Sequence, residues 1–195
     1  MKTYGMRLLT IVVMFFVLIL SGHVTAQASA VAIVSVQTPA SAPLVGSSFD
    51  VLVNIGSVSD LFSYQFDLSF NPAVISATGM SEGPFLATGG STMFLPGSID
   101  NVAGTIAFTA NSLVGEVPGI NGAGTLVTIN FQALASGSSS MDLSNVILLN
   151  SSFSDIPFVT IAGTVSPSAV PLPSSLWLIG PGLMGLIGLK RKYLG

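Results

Sequence analysis

The sequence predicts an all-β fold, a sandwich of antiparallel strands, on three observations. Apolar and polar side chains alternate with a period of two in several short runs between Val31 and Val165. No window in that stretch sustains a helical period over about 10 residues. Gly and Pro punctuate the runs, and many short strands with such turns argue for a β-sandwich.

Ala32–Gln37 is the first expected strand. Residues 49–55 follow, with Phe49, Val51, Val53 and Ile55 on one face. Residues 64–70 alternate most regularly: Tyr64, Phe66, Leu68 and Phe70 point in, while Gln65, Asp67 and Ser69 point out. Asn71-Pro72 closes that strand with a turn signal, and Val74-Ile75 opens another. Strands are expected over residues 105–110 and 126–134, introduced by Gly104 and Gly124, then over 141–149 and 158–165. Residues 136–140 read as a polar turn and residues 166–169 as a short linker. No internal repeat is present.

The two ends have a different character. Lys2 and Arg7 precede the apolar residues 8–20, which are too few for a comfortable membrane span. Small residues follow. This is the layout of a secretory signal peptide, residues 1–26, cut after Ala26 or alternatively after Ala28. Near the C-terminus, residues 176–189 are apolar. Fourteen helical residues reach about 21 Å, against a hydrocarbon core of about 30 Å. Gly180, Pro181, Gly182, Gly185 and Gly188 weaken a helix in water but are tolerated in lipid. The cluster Lys190-Arg191-Lys192 is expected to hold the C-terminus on the cytoplasmic side, with Trp177 at the opposite interface.

Val170-Pro171-Leu172-Pro173, the apolar run with Trp177, and Lys190-Arg191-Lys192 together resemble a PEP-CTERM sorting signal over residues 170–195. Leu172 stands where the motif that names the family has Glu, so this is the VPLP form. The resemblance implies a substrate of exosortase, a membrane protease or transpeptidase associated with exopolysaccharide and biofilm in Gram-negative bacteria. It places Val170–Pro173 as the processing motif, residues 174–189 as a transmembrane segment and Lys190–Lys192 as the membrane stop. Partners during export would be the Sec translocon, exosortase and, transiently, the inner membrane.

Removing both ends leaves about 140 residues, enough for one domain with its own core. That stretch holds all eight acids of the chain and no Lys, Arg or His, a formal charge of −8. Such a surface is expected not to bind nucleic acid, because neutralising phosphates needs cations. The absence of cysteine excludes disulfides and thiolate metal sites. Nucleophilic triads need a His or Lys base, and phosphate loops need a Lys. Paired carboxylates remain as the one catalytic possibility, but the acids are scattered singly, so no enzyme is expected and no catalytic residue is assigned. Calcium is the one ion the acids could hold. Asp100-Asn101 and Asp60 offer isolated ligands without a calcium-loop motif, so no cofactor or metal site is assigned.

The order of strand segments in residues 31–165 resembles the cohesin domain. The matching pieces are residues 46–53 (GSSFDVLV), 64–72 (YQFDLSFNP), 104–108 (GTIAF), 124–131 (GTLVTINF) and 163–165 (GTV). The resemblance implies a jelly-roll β-sandwich of about nine strands, related to a superfamily of carbohydrate-binding modules, and cohesins belong to polysaccharide-degrading assemblies. Cohesins bind dockerin modules through one sheet face. Three roles follow as expectations: a module that binds a dockerin-like protein, a binder of exopolysaccharide, or a passive component of a biofilm matrix. Sugar platforms use exposed Trp or Tyr. The only Trp lies in the tail, and Tyr64 reads as core, leaving Phe62 or Phe85 as candidate exposed rings. No binding residue is assigned.

Overall fold

The computed structural model describes residues 31–169. They form ten strands and one helical turn: β1 (Ala32–Gln37), β2 (Ser48–Ser69), β3 (Ile75–Glu82), α1 (Pro84–Ala87), β4 (Thr92–Leu95), β5 (Ser98–Asp100), β6 (Thr105–Leu113), β7 (Ile120–Ala133), β8 (Ser139–Asn150), β9 (Phe158–Ile161) and β10 (Gly163–Val165). The all-β expectation is met, with ten strands in place of about nine. The signal peptide, its cleavage site at Ala26, the motif Val170–Pro173, the transmembrane segment and Lys190–Lys192 lie outside the described residues.

The architecture turns on β2. The two strands expected at residues 49–55 and 64–70 are one strand of 22 residues. The intervening Gly-Ser-Val-Ser-Asp reads as a turn, but here it bends the strand without ending it. Ser57 and Asp60 take φ of 55° and 58°, and the register against β7 shifts on either side of Val58. Extra residues of this kind bend a strand and raise its twist, so β2 passes from one sheet into the other. Its first half pairs with β1 and β7, its second with β6 and β8. Sheet I therefore runs β9-β1-β2-β7-β3. Sheet II runs β10-β8-β2-β6, with β4 and β5 on the far edge of β6. Among these ten strands only β1 and β9 pair in parallel. The two layers make a jelly-roll sandwich.

The core lies between the sheets and follows the alternation. Val51, Val53 and Ile55 are buried from the first half of β2, and Tyr64, Phe66 and Leu68 from the second. Phe131 of β7 is fully buried, stacked on Phe49 at 5.9 Å and edge-on to Phe70 at 5.3 Å. Such aromatic geometries add to the area term. The Tyr64 hydroxyl donates to the Leu126 carbonyl at 2.8 Å, which meets the requirement that a buried phenol be bonded.

Three details depart from the expected elements. Gly124 does not introduce β7. The strand starts at Ile120, and Gly124 sits inside it because a Cβ there would come within 2.7 Å of the Phe85 ring from α1. β4 and β5 were not expected: at four and three residues they are too short to carry an alternation, and each is held only by β6. Residues 158–165 divide into β9 and β10, one in each sheet. Ser168, in the expected linker, is tied back to the domain: its N–H donates to the Pro43 carbonyl at 2.9 Å and its carbonyl accepts from Val45 N–H at 3.0 Å.

Candidate functional site

The acids are used locally. The Asp60 carboxylate accepts from the Ser151 hydroxyl at 2.8 Å and Gly119 N–H at 2.8 Å, joining the β2 bend to two loops. The Ser151 hydroxyl is the main cause that holds its carboxyl below the usual range, against the opposing effect of burial. Asp100 Oδ1 accepts from Ala103 and Val102 N–H, each at 2.9 Å, and these bonds hold its carboxyl low as well. Among the described residues no three Asp, Glu, His or Cys side chains group together as a metal site.

The outer faces of the two sheets differ. On sheet I the central side chains bond to one another. The Asn54 amide donates to Gln37 Oε1 at 2.7 Å while Asn54 Oδ1 accepts from the Thr125 hydroxyl at 2.8 Å. Asn130 donates to Asp50 at 2.7 Å. Exposed apolar side chains on this face, Ile33, Val159 and Ile161, belong to its β1–β9 edge.

Sheet II presents a different surface. Strand register sets Met93, Ser112, Ser63 and Leu149 in one row across β4, β6, β2 and β8. The next row is Leu95, Ala110, Gln65 and Ile147. Further along lies the row Asp100, Thr105, Ser69 and Asp142, starting from β5. Met93 is 62% exposed and Leu95 46%, two residues apart on β4, and Ile147, across Ala110 and Gln65 on β8, is 43% exposed. Exposed apolar side chains on neighbouring strands, here Met93 and Leu95 on β4 with Phe108 on β6, mark an interaction surface more strongly than single scattered ones do.

Asp67 stands at the centre of this face and organises it. Both neighbouring strands carry an irregularity beside it: the register shifts between Phe66 and Leu68 against β6, and between Gln65 and Asp67 against β8. Each irregularity contains a residue in the left-handed region, Phe108 at φ 59° and Asn145 at φ 49°. Asp67 Oδ1 accepts from the Phe108 backbone N–H at 2.7 Å, and Oδ2 accepts from the Asn145 amide at 2.6 Å. One carboxylate thus braces a bulge on each side. Left-handed backbone costs a residue with a Cβ about 1–2 kcal/mol and concentrates at functional sites. The bulge breaks the alternation that would turn Phe108 inward from Ile106. The ring is instead 56% exposed.

The rings considered from sequence as exposed are not: Phe62 and Phe85 are 6% and 7% exposed. Among the described residues the exposed rings are Phe108 and Phe153, the latter packed edge-on to Phe62 at 5.5 Å. Met93, Leu95, Phe108 and Ile147 were not singled out from sequence. Two sit in a strand too short to show a period, one sits in a bulge, and Ile147 lies past the irregularity in β8. The readable signal was the outward set Gln65, Asp67 and Ser69, which does lie on this face.

A family model described as the cohesin domain matches residues 33–166. Among curated proteins none matches in sequence. Solved structures share the fold at low identity. A non-cellulosomal cohesin from the hyperthermophilic archaeon Archaeoglobus fulgidus has 16% identity and a TM-score of 0.55, over 73% of this chain and 93% of that one. The seventh ScaB type I cohesin from Pseudobacteroides cellulosolvens has 14% identity and a TM-score of 0.59, over 73% and 96%. The third cohesin ScaC from Acetivibrio cellulolyticus, solved in complex with the ScaB dockerin, has 15% identity and a TM-score of 0.57, over 70% and 98%.

Proposed function

The chain belongs to the cohesin family, whose domains are non-catalytic protein-binding modules, and from that premise we propose that it is an exported surface or matrix protein that holds a partner protein on the outer face of sheet II. The observation that carries the reading is the set of exposed apolar side chains spread across this face, Met93 and Leu95 on β4, Phe108 on β6 and Ile147 on β8, with Phe108 braced by Asp67. A dockerin-like module is the first partner class, because the related ScaC cohesin was solved with a dockerin. The N-terminal signal and the sorting layout of Val170–Pro173 with Lys190–Lys192 support export through the Sec translocon and processing by exosortase. Binding of exopolysaccharide is the second reading, favoured by the exposed Phe108 ring. That ring lacks the polar tip with which Trp and Tyr also bond a sugar.

The test is retention of envelope and matrix proteins from the producing cell by the secreted protein. Leu95→Asp with Ile147→Asp is expected to weaken partner binding by more than about tenfold, as removal of a central apolar anchor does at other interfaces. Ser35→Asp on sheet I is expected to leave it bound. Loss with Ser35→Asp and retention with the sheet II pair refutes this face. Retention on a glycan array without a protein partner favours the second reading. For the tail, mass spectrometry of the released protein is expected to find a C-terminus near Val170–Pro173. Released protein that still carries Lys190–Lys192 refutes processing.

A further inference from the structure

Resting on sheet II as the docking face, we infer that its partner is a protein segment with separate apolar and basic halves, held in one direction along the face. Its apolar half covers Met93, Leu95 and Ile147, and its Lys or Arg side chains lie over Asp100 and Asp142.

The face is graded from end to end. Along β2, the outward residues Ser63, Gln65, Asp67 and Ser69 cover about 20 Å at roughly 3.3 Å per residue. The row at Ser63 carries Met93 and Leu149, and the row at Gln65 carries Leu95, Ala110 and Ile147. At the other end, the row at Ser69 carries a carboxylate on each flank, Asp100 on β5 and Asp142 on β8. Three steps between strands put these acids about 14 Å apart, so one segment can pass between them. Both are exposed. Each has one oxygen in local bonds: Asp100 Oδ1 caps its turn, and Asp142 Oδ2 accepts from the Ser140 hydroxyl at 2.8 Å. The other oxygen of each has no hydrogen-bond donor among the described residues. Asp67, midway, has both oxygens occupied and braces the face.

Composition selects the sign of the partner. Residues 31–169 include no Lys, Arg or His to neutralise Asp100 or Asp142. Once the two ends are removed, the cations must come from the partner, and an acidic segment would be repelled. Charge pairs at a rim add little affinity but determine orientation and reject wrong partners.

The probe is a synthetic peptide, apolar in one half and lysine-rich in the other, with a spin label at its lysine end. It is titrated into the isotope-labelled mature protein and followed by amide NMR. The lysines are expected to bring the label to the amides around Asp100, Ser69 and Asp142, away from Met93. Asp100→Asn with Asp142→Asn keeps the local acceptors, and is expected to weaken binding about 3- to 10-fold, the range for two rim pairs. Raising ionic strength to about 1 M, where screening acts within about 3 Å, is expected to do the same. Equal affinity for a glutamate-rich version on the same face, or indifference to salt and to both substitutions, overturns the inference and leaves the docking face standing. Shifts no larger on sheet II than on sheet I overturn both.

Discussion

At the scale of single residues, Asp67 has a role that its position in an alternating run does not announce. The alternation over residues 64–70 turns it outward, and an outward acid in a strand is ordinarily just solvated. Here it accepts the Phe108 N–H and the Asn145 amide, one from each neighbouring strand. Asp67→Ala is expected to cost about 1–2 kcal/mol in urea unfolding, less than a fully buried charged hydrogen bond because the site is half-buried. It should also release Phe108 from φ 59°, seen as a shift of its amide resonance, and weaken partner retention. Phe108→Ala should keep stability within about 0.5 kcal/mol, since the ring is exposed, while losing the partner. A Phe108→Ala protein that unfolds easily would make the ring a structural residue. Phe108 was hidden in the sequence because a bulge moves a residue out of the period on which any strand reading depends.

Among the elements, β2 decides the architecture. Its two halves were legible as strands because each alternates. Their continuity was not, because Gly56 to Asp60 has turn composition and the bend keeps its pairing with β7 through Val58 and Leu61. The start of β6 was legible for a sounder reason. Gly104 takes φ +72°, and a Cβ there would lie 2.3 Å from the Phe70 carbonyl oxygen and 2.6 Å from the Pro72 ring. Gly104→Ala meets both a backbone penalty and a clash with main chain, and is expected to destabilise by about 2–3 kcal/mol in chemical unfolding. A loss under about 0.5 kcal/mol would mean that the turn relaxes freely. β4 and β5 escaped notice because strands of four and three residues take their structure from β6 rather than from their own pattern.

Over the whole molecule, charge and burial act separately. The core requires no ion pair and no disulfide, and the described domain has no cation to offset its carboxylates. Self-repulsion among like charges destabilises a compact state and is screened by salt. The thermal midpoint of the mature protein is therefore expected to rise as sodium chloride is added at neutral pH, most steeply at low concentration. A flat response would mean the acids are too dispersed to matter. Composition and period alone suffice for the all-β class, the inward set Tyr64, Phe66, Leu68 and Phe70, the lack of a His or Lys base in residues 31–169, and the apolar and basic layout of the two ends. Each of these depends on residue type or local spacing, which a linear chain displays. The proposed docking face depends on register instead. Leu95, Ala110, Gln65 and Ile147 lie far apart in the chain and become one row only when four strands align, and Phe108 joins them only because Asp67 holds a bulge in place.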